Sequence, residues 1–349
     1  MPVTNDDAFV EYKGVIHVHS FLGGHSSGTF SEIINAAKAN GLQFVIMTEH
    51  TEKDFDTSAM TLRGMHAGVL FVNGNEVSTT NDDRLLVIPG DASLANSGAT
   101  QDVLNAAGSR RALAIAAYPE EFKTWDAGGM SGVEVFNVYT NARRINPVVA
   151  FFDVLWSRRS YPDLIFALYY TRPDQSLKLW DYALTRSRAT GLAGNDAHAN
   201  IGVSLNDSSG NTLLGIQLDP YETSFRLVRM HVLLERGKPL DEASLLEALR
   251  SGHCFIGFDF LGDTSGFSFT AGTRIQGDEV TLGADTRLKV RTPAPSRVLL
   301  FKDGNQVAME DGVTSKEFPV SERGVYRVEV YLPQVSSAPW IISNPIYVR

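Results

Sequence analysis

From Gly14 to about Phe258, short apolar or β-branched runs alternate with stretches of helical periodicity, and nothing else in the chain constrains its fold as strongly. Strands and helices in regular alternation fold as βα units around a largely parallel sheet or barrel, because parallel neighbours need a long crossover between them. Strand candidates are 15–18, 44–48, 69–72, 85–88, 113–117, 133–136, 164–168 and 190–193. Between the first two, Thr29-Phe30-Ser31-Glu32 reads as a capping box, Ile33, Ile34 and Ala37 share one face, and Asn40-Gly41 supplies a stop. Further helices are expected at 147–158, 176–188, 222–236 and 241–251. After about Gly262 the pattern changes to short strands with closely spaced turn residues, at 287–291, 298–302, 325–331 and 346–348, with a hairpin turn over 302–306. The expected organisation is an α/β unit over 1–262 and a small all-β sandwich over 263–349, which suits a chain of 349 residues.

Charge narrows the ligands. With 31 basic against 40 acidic residues the net charge is -9, so no chain-wide basic field exists to hold extended nucleic acid. An acidic protein can still bind an anion where cations supply the local charge. The single cysteine, Cys254, reads as a buried hydrophobe beside Phe255 and Ile256 and allows neither an internal disulfide nor a thiolate zinc site. Any metal must therefore be held by nitrogen and oxygen. No apolar run reaches the roughly 20 residues of a membrane span, and the first residues lack the regions of a signal peptide. The chain as written is expected to be soluble and cytoplasmic, or periplasmic or secreted had a leader been removed.

The runs end in residues that bind metals. The first ends in His17-Val18-His19, where positions i and i+2 of a strand point to one side. The second ends in Thr48-Glu49-His50, the third leads to Gly74-Asn75-Glu76, and a later one leads to Gly194-Asn195-Asp196-Ala197-His198. Each lies just past the carboxyl end of a strand, where barrel active sites are built. One such histidine would be unremarkable as a structural residue. Five of the eight histidines, with His25 in the Gly-rich stretch after the first strand, together with two carboxylates, point to a multinuclear metal site. Mixed imidazole and carboxylate ligation suits Zn, Mn or Fe better than Ca or Mg.

These residues resemble the polymerase and histidinol phosphatase (PHP) superfamily of metal-dependent hydrolases, over roughly 13–258. The resemblance rests on His17-Val18-His19-Ser20 with His25 downstream, Ile46-Met47-Thr48-Glu49-His50, Gly74-Asn75-Glu76-Val77-Ser78-Thr79 and Asn195-Asp196-Ala197-His198. It implies a distorted (β/α)7 TIM-like barrel, with His17, His19, Glu76 and Asp196 around one metal and His25, His50 and His198 around another. The tail Pro339-Trp340-Ile341-Ile342-Ser343-Asn344-Pro345 resembles that of a bacterial subgroup that includes carbaryl-hydrolase-like enzymes. Two histidines that hold a third metal in this superfamily have no counterpart, since Asp82-Asp83-Arg84-Leu85-Leu86 and Ala117-Tyr118-Pro119 stand in their segments. The superfamily's common Thr-Asp-His is Thr48-Glu49-His50.

The resulting expectation is a hydrolase with two divalent metals (Zn, Mn or Fe), in which Arg84, Tyr118 and Asp196 bear on catalysis. Arg84 would replace some of the missing charge and bind a substrate oxygen in bidentate fashion, and Tyr118 would donate a hydrogen bond nearby. The expected substrate is a small anionic ester. Phosphate ester hydrolysis leads, carboxylic ester or carbamate hydrolysis is the close rival, and a non-catalytic binding protein is the reading from another class. Tyr139, Tyr169, Tyr170, Arg143, Arg144 and Arg172 lie near expected strand ends and read mainly as packing or solvated residues, with Asn137 better placed to line the site. His66, in a helix-like segment, His231, on a helix, and His253 read as structural. The stretch Gly23-Gly24-His25-Ser26-Ser27-Gly28 lacks the lysine of a P-loop and reads as a flexible mount for His25.

Overall fold

The computed structural model describes residues 3–5, 8–96, 98–138, 140, 170–198, 202–206, 212–217, 220–335 and 337–349. The expected helix at 147–158, the strand at 164–168, and Tyr139, Arg143, Arg144 and Tyr169 lie outside them.

The apolar runs do become strands, and two sheets hold most of them. In the first, Phe9–Val18 pairs in parallel with Phe44–Met47, which pairs in parallel with Val69–Val72. The other edge of Phe9–Val18 pairs antiparallel with Arg229–Glu235, and the sheet continues through Cys254–Gly257, Ile341–Ser343, Gly324–Tyr331, Arg287–Lys302 and Ser268–Ala271. The second sheet runs Glu49–His50, Asn75–Ser78, Arg84–Ile88, Leu113–Ala117, Gly132–Asn137, Thr190–Gly194. Two seams join the sheets. Glu49–His50 and Asn75–Ser78 carry on from strands of the first sheet. At the other side Asn195 N donates to Ile16 O at 2.9 Å, and His19 N donates to Ala197 O at 3.0 Å. The polar ends of strands from both sheets therefore converge.

This corrects the expected distorted (β/α)7 TIM-like barrel with a separate C-terminal sandwich. Strands outweigh helices among the described residues, and the helices there are Phe30–Ala39, Thr57–Met60, Thr100–Ser109, Asp174–Leu184, Tyr221–Leu227 and Glu242–Ser251. No helix intervenes between Asn75–Ser78 and Arg84–Ile88, which form an antiparallel hairpin across the turn at 79–83. Leu113–Ala117 is also antiparallel to Arg84–Ile88, so the sheet is mixed. The strands after 265 continue the first sheet, since Ile341–Ser343 bonds directly to Cys254–Gly257. They share a second core around Phe255, Phe267, Phe269, Val328 and Trp340.

The helix expected at 222–236 is also corrected, since it ends at Leu227 and Arg229–Glu235 is a strand. Met230, Val232, Leu233 and Leu234 are all buried, and an apolar run this short fits either period. Pairing on both edges, with Phe9–Val18 and Cys254–Gly257, decides it. His231 is thus a strand residue, and His66 ends the strand Gly64–His66 rather than lying in a helix.

Local signals hold more closely. Thr29 caps Phe30–Ala39 in a full capping box with Glu32, and Asn40 closes the helix. Substituting Thr29→Ala should cost about 1 kcal/mol, read as a lower denaturation midpoint at unchanged slope. The hairpin expected at 302–306 turns at Asp303 (φ 49°) and Gly304 (φ 80°), both left-handed as its twist requires.

Candidate metal centre

The strand Phe9–Val18 loses its regular register against Phe44–Met47 between Ile16 and Val18, where His17 takes φ 67°. Asp196 (φ 47°) and Tyr118 (φ 48°) are likewise left-handed. Three non-glycine residues in this sparsely populated region, each at a cost of roughly 1–3 kcal/mol, surround one point. The pleat rule puts His17 and His19 on one side, but the local bulge is what aims both rings at the same carboxylates.

His17 Nε2 lies 3.3 Å from Glu76 Oε2 and 3.5 Å from Asp196 Oδ1, and His19 Nε2 lies 3.4 and 3.5 Å from the same atoms. His50 Nδ1 approaches Glu76 Oε2 at 3.6 Å, and His198 Nδ1 approaches Asp196 Oδ1 at 3.4 Å. The His19 ring stacks on those of both His198 (4.2 Å) and His50 (4.7 Å). Among the described residues, two groups have potential ligand atoms all within 4.8 Å of one another: His17, His19, Glu76 and Asp196, and His19, His50 and His198. His25 is exposed and meets His50 edge-on at 4.9 Å, so it is His19 that clusters with His50 and His198.

The first of these groups is buried, and it could hold a metal ion. His19 Nδ1, His19 Nε2 and Asp196 Oδ1 are buried without a hydrogen-bond partner. Buried polar atoms are rarely left this way unless an ion or water completes them.

Protonation suits the same role. Burial pushes the His19 pKa down to about 4 and the His50 pKa down to about 3, so both rings are neutral at pH 7, the form in which an imidazole can bind a metal. Burial would raise Glu76 and Asp196, but the surrounding imidazoles overcome it and hold both carboxyls below their ordinary range. His17 differs. Burial alone would lower it, yet the facing carboxylates, Glu134 foremost, hold it well above its ordinary value.

Glu134 is the residue that sequence reasoning missed. It sits in the strand Gly132–Asn137, buried, with Oε1 2.6 Å from His17 Nδ1. The available signal was an acid inside the apolar run Val133-Glu134-Val135-Phe136, since a buried carboxylate needs a partner. Glu49, also buried, is taken up by Ser20 and Thr61 hydroxyls and serves the loop rather than the centre.

The other expected residues sort clearly. Arg84 Nη1 donates to Glu76 Oε1 at 3.1 Å, with its side chain 43% exposed. The Tyr118 hydroxyl donates to Asp196 Oδ2 at 2.7 Å, so it braces a carboxylate instead of pointing a donor at open space. Asn137 Nδ2 donates to Glu134 Oε2 and Asp196 Oδ2 at 3.1 and 3.3 Å. A cleft of about 520 Å³ opens over the centre, lined by His25, His50, Glu76, Arg84, Asp196 and His198. Tyr170 and Arg172 are not brought to it, since Tyr170 bonds Pro339 O and Arg172 pairs with Glu329. His66, His231 and His253 bond elsewhere, to Arg63 O, Glu11 and Asp278 respectively.

No family model matches the chain. No curated protein matches it either. Among solved structures, PsfC from Pseudomonas syringae PB-5123 is similar at 14% identity, over 69% of this chain and 89% of that chain, with a TM-score of 0.42. No helix among the described residues is long and apolar enough to cross a membrane.

Proposed function

We propose that this chain is a metal-dependent hydrolase of small anionic esters, with phosphate esters as the leading substrate class. The observation that carries this reading is the set of partnerless buried ligand atoms on His19 and Asp196 beneath a cleft edged by Arg84. The motif resemblance to the PHP superfamily supports it.

His17, His19, Glu76 and Asp196 would hold one cation, and His50 and His198, with His19 or His25, a second. Divalent cations bound there would lower the pKa of a water toward neutrality and offset charge developing on substrate oxygens. The protein's own part is to keep His19 and His50 neutral and Glu76 and Asp196 ionised. Arg84 spends one N–H on Glu76, and a guanidinium has five donors, so it can also meet an anionic oxygen at the cleft. Arg84 and Tyr118 thus each hold one oxygen of a carboxylate in the centre, Glu76 Oε1 and Asp196 Oδ2.

The test is a panel of chromogenic phosphate monoesters, diesters, carboxylic esters and carbamates, assayed on metal-stripped protein with Zn, Mn or Fe restored. Metal-dependent turnover of phosphate esters is expected. Turnover confined to carboxylic esters or carbamates would reassign the substrate, and a protein that neither retains metal nor turns over any ester would sink the hydrolase reading. Arg84→Ala should raise KM for a phosphate ester about 10- to 100-fold, the value of a charge-assisted hydrogen bond. An unchanged KM in Michaelis profiles would remove Arg84 from substrate binding.

A further inference from the structure

We propose that Glu134 is the positioning residue of the centre: it fixes His17 with a proton on Nδ1, so that Nε2 is presented to the space shared with Glu76 and Asp196. This rests on the metal reading of the site but names a residue outside both clusters of potential ligands.

Geometry carries the argument. An imidazole has two nitrogens, and whichever is held as a donor leaves the other to act as a ligand. Glu134 Oε1 lies 2.6 Å from Nδ1, while Nε2 faces Glu76 Oε2 and Asp196 Oδ1. The carboxylate cannot swing away, because its Oε2 accepts from Asn137 Nδ2 at 3.1 Å and from the Tyr118 backbone N–H at 3.4 Å. Asn137 and Tyr118 also bond Asp196 Oδ2, so a single hydrogen-bonded frame holds one ligand from each of two strand ends.

The neighbouring strand leaves room for this contact. A Cβ at Gly194 would stand 1.7 Å from Glu134 Oε1 and 3.0 Å from His17 Cβ. Only glycine lets the carboxylate lie between the strands Gly132–Asn137 and Thr190–Gly194 and still reach His17. A carboxylate with this burial and this number of fixed partners does more than fill space, since outer partners that orient metal-bound histidines typically change metal affinity 10- to 100-fold when lost.

The experiment measures zinc binding by competition with a chelating dye, alongside long-range 1H–15N spectra of the histidine rings in the zinc-loaded protein. In the parent, His17 should carry its proton on Nδ1. Glu134→Gln should weaken zinc binding roughly 10- to 100-fold, and Glu134→Asp, which keeps the charge, should recover part of it. A purely structural role would instead lower the melting temperature of the metal-free variant and leave zinc affinity intact. Parental zinc binding with unchanged affinity in Glu134→Gln overturns the positioning role alone. So does a zinc-loaded parent with no proton on His17 Nδ1, a measurement that needs no variant to fold. A parent that binds no zinc overturns the metal reading, and this inference with it.

Discussion

His17→Ala should abolish metal retention and ester hydrolysis together. The side chain is wholly buried, its Nε2 belongs to the buried cluster of four potential ligands, and its Nδ1 holds Glu134. Removing it takes the partner from Glu134 Oε1, whose carboxyl burial already pushes above its ordinary pKa, and takes away one of four buried potential ligand groups. Loss of a group that stabilises developing charge typically costs 10²- to 10³-fold in turnover, and loss of the cation itself should exceed that. Metal analysis by mass spectrometry and a turnover assay on the same preparation make the comparison. A variant that loses activity but keeps full metal content would show that His17 is no ligand. A variant that resembles the parent, with little metal and no turnover in either, would favour a binding protein that has lost catalysis.

The second large effect lies away from the cleft. His231 is buried in the strand Arg229–Glu235, stacked on Phe255 at 4.5 Å. Its Nδ1 is 2.6 Å from Glu11 Oε1, and its Nε2 is 2.9 Å from the Thr264 hydroxyl and 3.3 Å from Asp259 Oδ1. Arg229 bonds the other oxygen of Asp259, and Gly266 N donates to Glu11 Oε2. Burial alone would lower the His231 pKa, but Asp259 and Glu11 outweigh it and raise the group from 6.5 to about 9. The folded value lies above the unfolded one, so the stabilisation is complete below pH 6.5 and is lost as pH rises to about 9. Asp259, held well below its ordinary range, does not titrate in that window. The swing should be on the order of 3 kcal/mol, in favour of the folded state at the acid end. Urea unfolding at steps between pH 6 and 9.5 follows it, and because His17 is raised in the same direction, the His231 share is the part of the dependence that His231→Gln removes. Parental stability that stays level across the window would contradict the assigned charge state.

Much of the candidate site was legible because each ligand ends an apolar run, and a polar residue at a strand end needs no long-range information to find. Capping at Thr29 and the turn at Asp303-Gly304 were legible for the same local reason. Glu134 was hidden because a lone acid in a strand shows neither which way it faces nor that Gly194 leaves room beside it. The antiparallel pairing of Phe9–Val18 with Arg229–Glu235 was hidden because hydrophobic period does not name a partner across such a separation. That pairing, not propensity, turned the run around His231 into a strand. The expected regular alternation failed at 79–83, where a turn of polar residues stands in place of a crossover helix and reverses the sheet.

One consequence of the continuous first sheet concerns the order in which the chain can mature on a ribosome. Among the described residues, the outer edge of Cys254–Gly257 is closed by Ile341–Ser343, which emerges much later. Until then a fully apolar strand edge stays open beside Arg229–Glu235, the immediate neighbour of the strand that carries His17. Open apolar edges invite pairing with other chains. A nascent chain stalled before residue 341 would therefore be sticky as well as incomplete.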